Sequence, residues 1–221
     1  MLKYKVIIAA SGSGERFGSK TPKQFQKING KEILAITIDR FHRISLIDEI
    51  VISTKPEYFT KVSTIIRKNN FRKVKKIVEG GKRRQDSVYN ALLNLDNCNP
   101  EDVILVHDGV RPFVSSKLIH TLMEEVKFYD GVIPVLPVSE TVKEIEGNIV
   151  RKTIDRSKIY FAQTPQVFRY EVLKRSFEKA YKENFDATDE SSIVENAGYK
   201  IKSVQGESKN IKITLKDDLK R

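Results

Sequence analysis

Gly12, Gly14 and Gly18 alternate with Ser11, Ser13, Arg16, Lys20 and Lys23 directly behind an uncharged apolar run, Val6-Ile7-Ile8-Ala9-Ala10. Glycine leaves backbone N–H groups open to close approach, and a row of them is a cradle for an anion. Arginine and lysine bring formal positive charge to the same place. The apolar run reads as a strand buried in a parallel sheet, which would put the loop at the strand's carboxyl edge. A polyphosphate is the simplest ligand for it.

Three known phosphate loops can be compared with this one. The Walker A pattern, G-x-x-x-x-G-K then Ser or Thr, is missed by spacing, because Gly14 and Gly18 are too close together and Lys20 comes one residue late. Pro22 also bars the helix that should continue from the lysine. The dinucleotide fingerprint G-x-G-x-x-G is met by Gly12 and Gly14, but Phe17 stands where the third glycine belongs. That argues against an NAD(P)-binding oxidoreductase. The third pattern, a strand, then A-A/S-G-x-G-x-R-x-G, then P-K-Q, is similar to the loop of sugar-nucleotide-type nucleotidyltransferases. Ala10-Ser11-Gly12-Ser13-Gly14-Glu15-Arg16-Phe17-Gly18 and Pro22-Lys23-Gln24 satisfy it at every position.

The elements that must position this loop alternate in type. Strands are expected over 6–10, 48–53, 76–78, 103–106 and 131–135. Helices are expected over 33–44, from Pro56 to about 69, from Asp86, and over 118–126, each with apolar residues at helical spacing. Strand–helix alternation predicts an α/β, Rossmann-like, mostly parallel sheet with helices on both faces. Ligands of such sheets collect at the strands' carboxyl ends, where the Gly12 loop, Gly80-Gly81 and His107-Asp108 all fall. Residues 138–154 break the pattern. Two alternating runs flank Glu146-Gly147-Asn148 and predict a projecting β-hairpin arm over about 137–160. A helix over 171–181, a second helix with Thr188 as N-cap, and strands near Lys202 and over 210–214 complete the chain. The whole of 1–221 is read as a single nucleotidyltransferase domain.

The 221 residues suffice for one large domain with a substantial core, and 39% hydrophobic with 31% charged residues suit a globular protein. No apolar run is long enough to span a bilayer, so no membrane partner is expected. Residues 1–4 lead straight into the first strand, which leaves no room for a signal or transit peptide, and the expected location is cytoplasmic. The single cysteine, Cys98, excludes an intrachain disulfide. A net charge of +11 raises the question of nucleic acid, but the bases are spread along the chain and interleave no aromatics for stacking. A basic nucleic-acid-binding domain is the remote alternative.

The motifs occur in a telling order: Ala10-Ser11-Gly12, Pro22-Lys23-Gln24, Glu79-Gly80-Gly81, Asp86-Ser87-Val88, His107-Asp108-Gly109-Val110-Arg111-Pro112-Phe113, Glu140-Thr141-Val142, Asp155-Arg156, Gln163-Thr164-Pro165-Gln166, Thr188-Asp189-Glu190 and Asn210-Ile211-Lys212-Ile213-Thr214. Together they cover nearly the whole chain and resemble the 2-C-methyl-D-erythritol 4-phosphate cytidylyltransferases of the non-mevalonate isoprenoid route. The resemblance implies transfer of the cytidylyl group of CTP to methylerythritol phosphate, with release of pyrophosphate and a requirement for Mg²⁺. It implies catalytic roles for Arg16, Lys23 and Lys212, the last on a C-terminal strand. CTP would lie against Ala10, Ser11, Gly12, Gly14, Gly81 and Ser87. The sugar phosphate would fall to Asp108, Arg111, Thr141, Arg156 and Thr164. Metal ligands stay unassigned, with Asp108 as the candidate.

The resemblance further implies a homodimer in which the arm carries Thr141 and Arg156 to the partner's site. Some residues depart from the family pattern: Ser11 for the second alanine, Lys82 where an acidic residue is common, and Glu140 for aspartate. Val110, in place of a commoner alanine, is similar to the sister ribitol-5-phosphate cytidylyltransferases, which are the alternative reading. Arg83 and Arg84 are read as either solvated or bracing the base-binding loop. His107 is read as a hydrogen-bonded edge residue.

Overall fold

The computed structural model describes residues 2–12 and 21–220. The glycine loop's Gly14, Arg16 and Gly18 lie outside them. In chain order the strands and helices are β1 (Tyr4–Ala9), β2 (Lys27–Ile28), β3 (Lys31–Glu32), α1 (Ile33–His42), β4 (Ile47–Thr54), α2 (Phe59–Lys68), β5 (Val74–Glu79), α3 (Arg84–Leu93), β6 (Val103–Asp108), α4 (Ser116–Glu125), β7 (Gly131–Pro137), β8 (Val142–Glu146), β9 (Ile149–Ile154), β10 (Tyr160–Ala162), β11 (Gln166–Arg169), α5 (Tyr170–Lys182), α6 (Glu190–Asn196) and β12 (Ile201–Gln205).

The central sheet is mostly parallel. β1 lies between β6 and β4, β5 follows β4, and all four run the same way. β11 is inserted antiparallel between β6 and β7. Val132 of β7 pairs with Val167 on one side and Lys202 on the other, while Val135 pairs with Ala162 and Gln205. β10 and β11 therefore lie on the same side of β7 and act as two halves of one strand, interrupted at Gln163-Thr164-Pro165. β12 covers the opposite edge.

Alternation along the strands divides the core in two. Val6 and Ile8 of β1 join one apolar cluster with Leu34, Ile38 and Phe41 of α1, Val62 and Ile65 of α2, and Leu118, Leu122 and Met123 of α4. Ile7 points the other way, into a second cluster with Val88 and Leu92 of α3, Leu173 and Phe177 of α5, and Ile193 of α6. The helices thus cover both faces, as the alternating pattern predicts. Lys5 is the one charged residue of β1, and it is buried; its Nζ is 3.2 Å from Glu49 Oε2 and also donates to the Asp96 carbonyl.

The expected boundaries shift at three places. α3 starts at Arg84, not Asp86, because the Asp86 carboxylate accepts the Arg83 backbone N–H at 3.0 Å and closes the first turn. The N-cap of α6 is Asp189, not Thr188; its side chain accepts from Ser192 N at 3.0 Å. Residues 210–214 form no strand. Ile213 makes one backbone bond to the Val110 carbonyl at 3.0 Å, and the Asn210 side chain reaches the Thr164 carbonyl instead of continuing a ladder. Lys212 therefore sits on an extended segment held by isolated anchors.

Residues 142–154 form a two-stranded hairpin. Among the described residues β8 and β9 pair only with each other, around a two-residue turn whose Gly147 has φ +59°. Ile145, Ile149 and Val150 on it are exposed.

Phe168 of β11 is fully buried opposite Ile104 and fills the space over Gly131, where an added Cβ would come within 2.4 Å of its ring. Phe168→Ala should cost about 3–5 kcal/mol of stability, read as a lower urea midpoint with an unchanged slope.

Candidate active site

The carboxyl ends of β1, β4, β5 and β6 stop at one edge, and backbone bonds hold them level. Ala10 N donates to the Ser53 carbonyl (2.8 Å), Gly80 N to the Thr54 carbonyl (2.9 Å) and Gly109 N to the Ala9 carbonyl (2.8 Å). Above this edge lies a cleft of about 670 Å³. Ala10, Ser11, Gly12, Lys23, Gly81, Ser87, Asp108 and Lys212, all singled out from the sequence, line it. Lys55, Lys82, Arg83 and Arg84 add four more cations to its wall. Among the described lining residues Asp108 is the only carboxylate, and the cations around it favour a polyanion.

Close packing shapes its floor. An added Cβ at Gly80 would stand 1.9 Å from Ser11 Oγ, and one at Gly81 2.2 Å from Asp86 Cβ. Gly80 lets the β5–α3 turn press against Ser11, and Gly81 lets the same turn fold close over Asp86 of α3. Ser11 Oγ is buried with no hydrogen-bond partner among the described residues, a polar atom left over for a ligand. Gln24, of the Pro22-Lys23-Gln24 motif, is buried and ties the loop down. Its Nε2 donates to the Ala10 carbonyl at 3.0 Å and reaches the Gly12 carbonyl at 3.4 Å. Ser87 occupies the first turn of α3 and lines the cleft.

A second cavity of about 210 Å³ adjoins the first and shares Arg84, Asp108 and Lys212 with it. Arg111, Thr164, Gln166 and Thr188 complete much of its lining. Asp108 therefore stands on the seam. Its Oδ2 is 3.2 Å from Arg111 Nε and 3.0 Å from Lys212 Nζ, and its Oδ1 is 3.2 Å from Arg84 Nε. Burial alone would raise its pKa; Arg84, Lys212 and Arg111 outweigh burial and hold the carboxyl far below the usual range. Arg84 reaches onward, Nη1 to Oε1 of the fully buried Glu190 at 2.5 Å. Burial holds the Glu190 carboxyl above its ordinary value, against the pull of Arg84.

His107 lies behind this cluster and is fully buried, edge-on to Phe41. Its Nε2 is 3.0 Å from the Arg111 carbonyl, which can only accept, so Nε2 carries the proton. Nδ1 then accepts from Thr164 Oγ1 (2.9 Å), which in turn accepts the Asp108 backbone N–H (3.1 Å). With both ring nitrogens engaged, the imidazole serves as a brace between β6 and the β10–β11 break.

Thr141 and Arg156 stand apart. Both are exposed on the arm, neither is among the residues lining the two cavities, and Arg156 Nη1 donates to the Ser139 carbonyl. Gly14 and Arg16 lie outside the described residues. The candidate metal ligand, Asp108, already has cations on both oxygens, and the described residues hold no group of three His, Cys, Asp or Glu able to take a metal ion. They do not fit a resident metal. Among them no helix is long and apolar enough to cross a membrane.

Comparison with known proteins agrees with this geometry. The family model for 2-C-methyl-D-erythritol 4-phosphate cytidylyltransferase matches residues 4–221. The protein of that name from Clostridioides difficile (strain 630) is 44% identical over 220 residues, covering 98% of this chain and 90% of the relative. That from Clostridium acetobutylicum is 42% identical over 215 residues, covering 96% and 93%. The crystal structure of the Francisella tularensis protein superposes with a TM-score of 0.82 at 37% identity, covering 99% and 97% of the two chains.

Burial pushes His107 down to about 4 from 6.5, only partly opposed by its bond to the Arg111 carbonyl. The unfolded chain therefore takes up this proton first, and the stability held above pH 6.5 is lost as pH falls toward 4. The loss should be on the order of 3 kcal/mol. Urea unfolding at pH 7 and pH 4 checks it: His107→Gln should show a smaller drop between the two than the wild type.

Proposed function

The chain belongs to the 2-C-methyl-D-erythritol 4-phosphate cytidylyltransferase family, and from that premise we propose that it transfers the cytidylyl group of CTP to 2-C-methyl-D-erythritol 4-phosphate. The products are 4-diphosphocytidyl-2-C-methyl-D-erythritol and pyrophosphate. The observation that carries this reading is the pair of cavities meeting at one cation-wrapped carboxylate, the larger ending at the glycine loop. Two anionic substrates and one phosphorus between them call for such a site.

In the reaction an oxygen of the acceptor's phosphate forms a bond to the α-phosphorus of CTP. The bond from that phosphorus to the β-bridging oxygen breaks, and pyrophosphate leaves with the electron pair. The nucleophile is already ionised at neutral pH, so no general base is needed. The obstacle is repulsion between two anions, and fixed cations remove it. Lys23 and Arg16 stabilise the α-phosphate and the leaving group, and Lys212 completes the clamp from the other side of the seam. Ala10, Ser11, Gly12, Gly14, Gly81 and Ser87 hold the nucleotide. Asp108, Arg111 and Thr164 take the sugar phosphate. Magnesium would be supplied as part of the substrate, as Mg–CTP, and would add positive charge to its phosphates.

Thr141 and Arg156 serve the site of a second copy in a homodimer built through the arm. A two-stranded hairpin is marginal alone, and Ile145, Ile149 and Val150 are 59%, 63% and 56% exposed on it. A partner surface would bury them. Use of free CTP fits a cytoplasmic enzyme.

Pyrophosphate release with CTP and Mg²⁺, run in parallel on methylerythritol phosphate and ribitol 5-phosphate, tests the reaction. Turnover with the former is expected, and chelation should abolish it. Turnover with ribitol 5-phosphate alone would move the chain to the sister activity. Lys23→Ala or Lys212→Ala should each lower kcat roughly 10²–10³-fold. For the shared site, mixed Lys23→Ala and Arg156→Ala chains should regain activity, because one site of each heterodimer keeps both residues. Heterodimers that form without recovery would rule the sharing out.

A further inference from the structure

We propose that Arg84, gripped from behind by Glu190, is a positioning residue that sets the orientation of the Asp108 carboxylate and thereby the geometry of the acceptor cavity. This rests on the cytidylyl transfer proposed above and adds to it a pair of residues that the sequence left undecided.

The division of labour on Asp108 carries the argument. Oδ2 faces two cations, Arg111 Nε and Lys212 Nζ, but the only ion-pair partner of Oδ1 among the described residues is Arg84 Nε. Two cations on one oxygen fix a point; a cation on the other oxygen fixes the plane of the carboxylate. Arg84 can do this because its own guanidinium is anchored elsewhere. Nη1 is held at 2.5 Å by Glu190, a fully buried carboxylate in the first turn of α6.

A purely structural arginine–glutamate pair would use both prongs of the fork on one carboxylate. Here the fork is split between two, and Arg84 Nη2 and Glu190 Oε2 are left buried without hydrogen-bond partners among the described residues. The arrangement forgoes a complete pair in order to hold Asp108. Arg84 also lines both cavities, so the constraint acts where the two substrates meet. Glu190 is itself fixed, since neighbouring Asp189 caps α6 and accepts from Gln166 Nε2 at 2.7 Å.

Two variants test this. Arg84→Lys keeps the charge but cannot span both carboxylates, and Glu190→Gln keeps the shape but releases the grip. CTP and the acceptor are varied separately, beside the wild type. Each variant should raise the acceptor's KM about 10- to 100-fold, the loss expected of one hydrogen bond between charged groups, with the KM for CTP changed by less than about twofold. Unchanged kinetics would overturn the proposal. So would KM values for both substrates rising together, or a loss of kcat alone that tracks the folded fraction by thermal unfolding. If Glu190→Gln does not fold, Arg84→Lys, whose side chain is 25% exposed, decides alone. Absence of turnover by the wild type would overturn the underlying reaction instead.

Discussion

A carboxylate taken out of water must be compensated, and here the compensation organises the molecule. Asp108 is 5% exposed and draws Arg84, Arg111 and Lys212 to one point. Those three come from the start of α3, the turn after β6 and the C-terminal extended segment. A desolvated charge without them would cost several kcal/mol. The same cations that neutralise Asp108 are what a phosphorylated substrate needs, so the fold's electrostatic requirement and the site's coincide.

Strand polarity explains why the charges arrive together. β1, β4, β5 and β6 are parallel, so their carboxyl ends share an edge, and every crossover helix on that edge begins there. The antiparallel β11 closes the gap between β6 and β7 and brings Thr164 to the Asp108 backbone. His107 then ties Thr164 to the Arg111 carbonyl. A neutral imidazole suits that post, since burial disfavours a charged one and Arg111 and Arg84 add to that.

Much of this was legible in the chain. Uncharged β-branched runs such as 103–106 announce buried strands, and the glycine spacing announces a phosphate loop, because each depends on neighbours in sequence. Side chains that reach back to the backbone were harder to read. Asp86 moved the start of α3, and Asp189 took the cap that Thr188 was expected to supply. Residues 210–214 look like a strand because Ile213 is buried, yet an apolar anchor needs no ladder. Least legible was the partner of Arg84. Glu190 is 106 residues away, and only folding brings them together. Within the run Lys82-Arg83-Arg84 nothing local distinguishes the arginine that turns inward from the two exposed residues before it.

The interrupted strand β10–β11 has a geometric consequence. The arm leaves the sheet at the end of β7 and returns as β10, which pairs with that same end through Pro137, Leu136 and Val135. Both feet of the arm thus stand on one strand. Ala162, the last residue of the returning foot, lines the smaller cavity, and Gln163 and Thr164 continue its wall. The stretch of chain that closes the arm is thus the same stretch that walls the smaller cavity, and one strand, β7, sets the position of both.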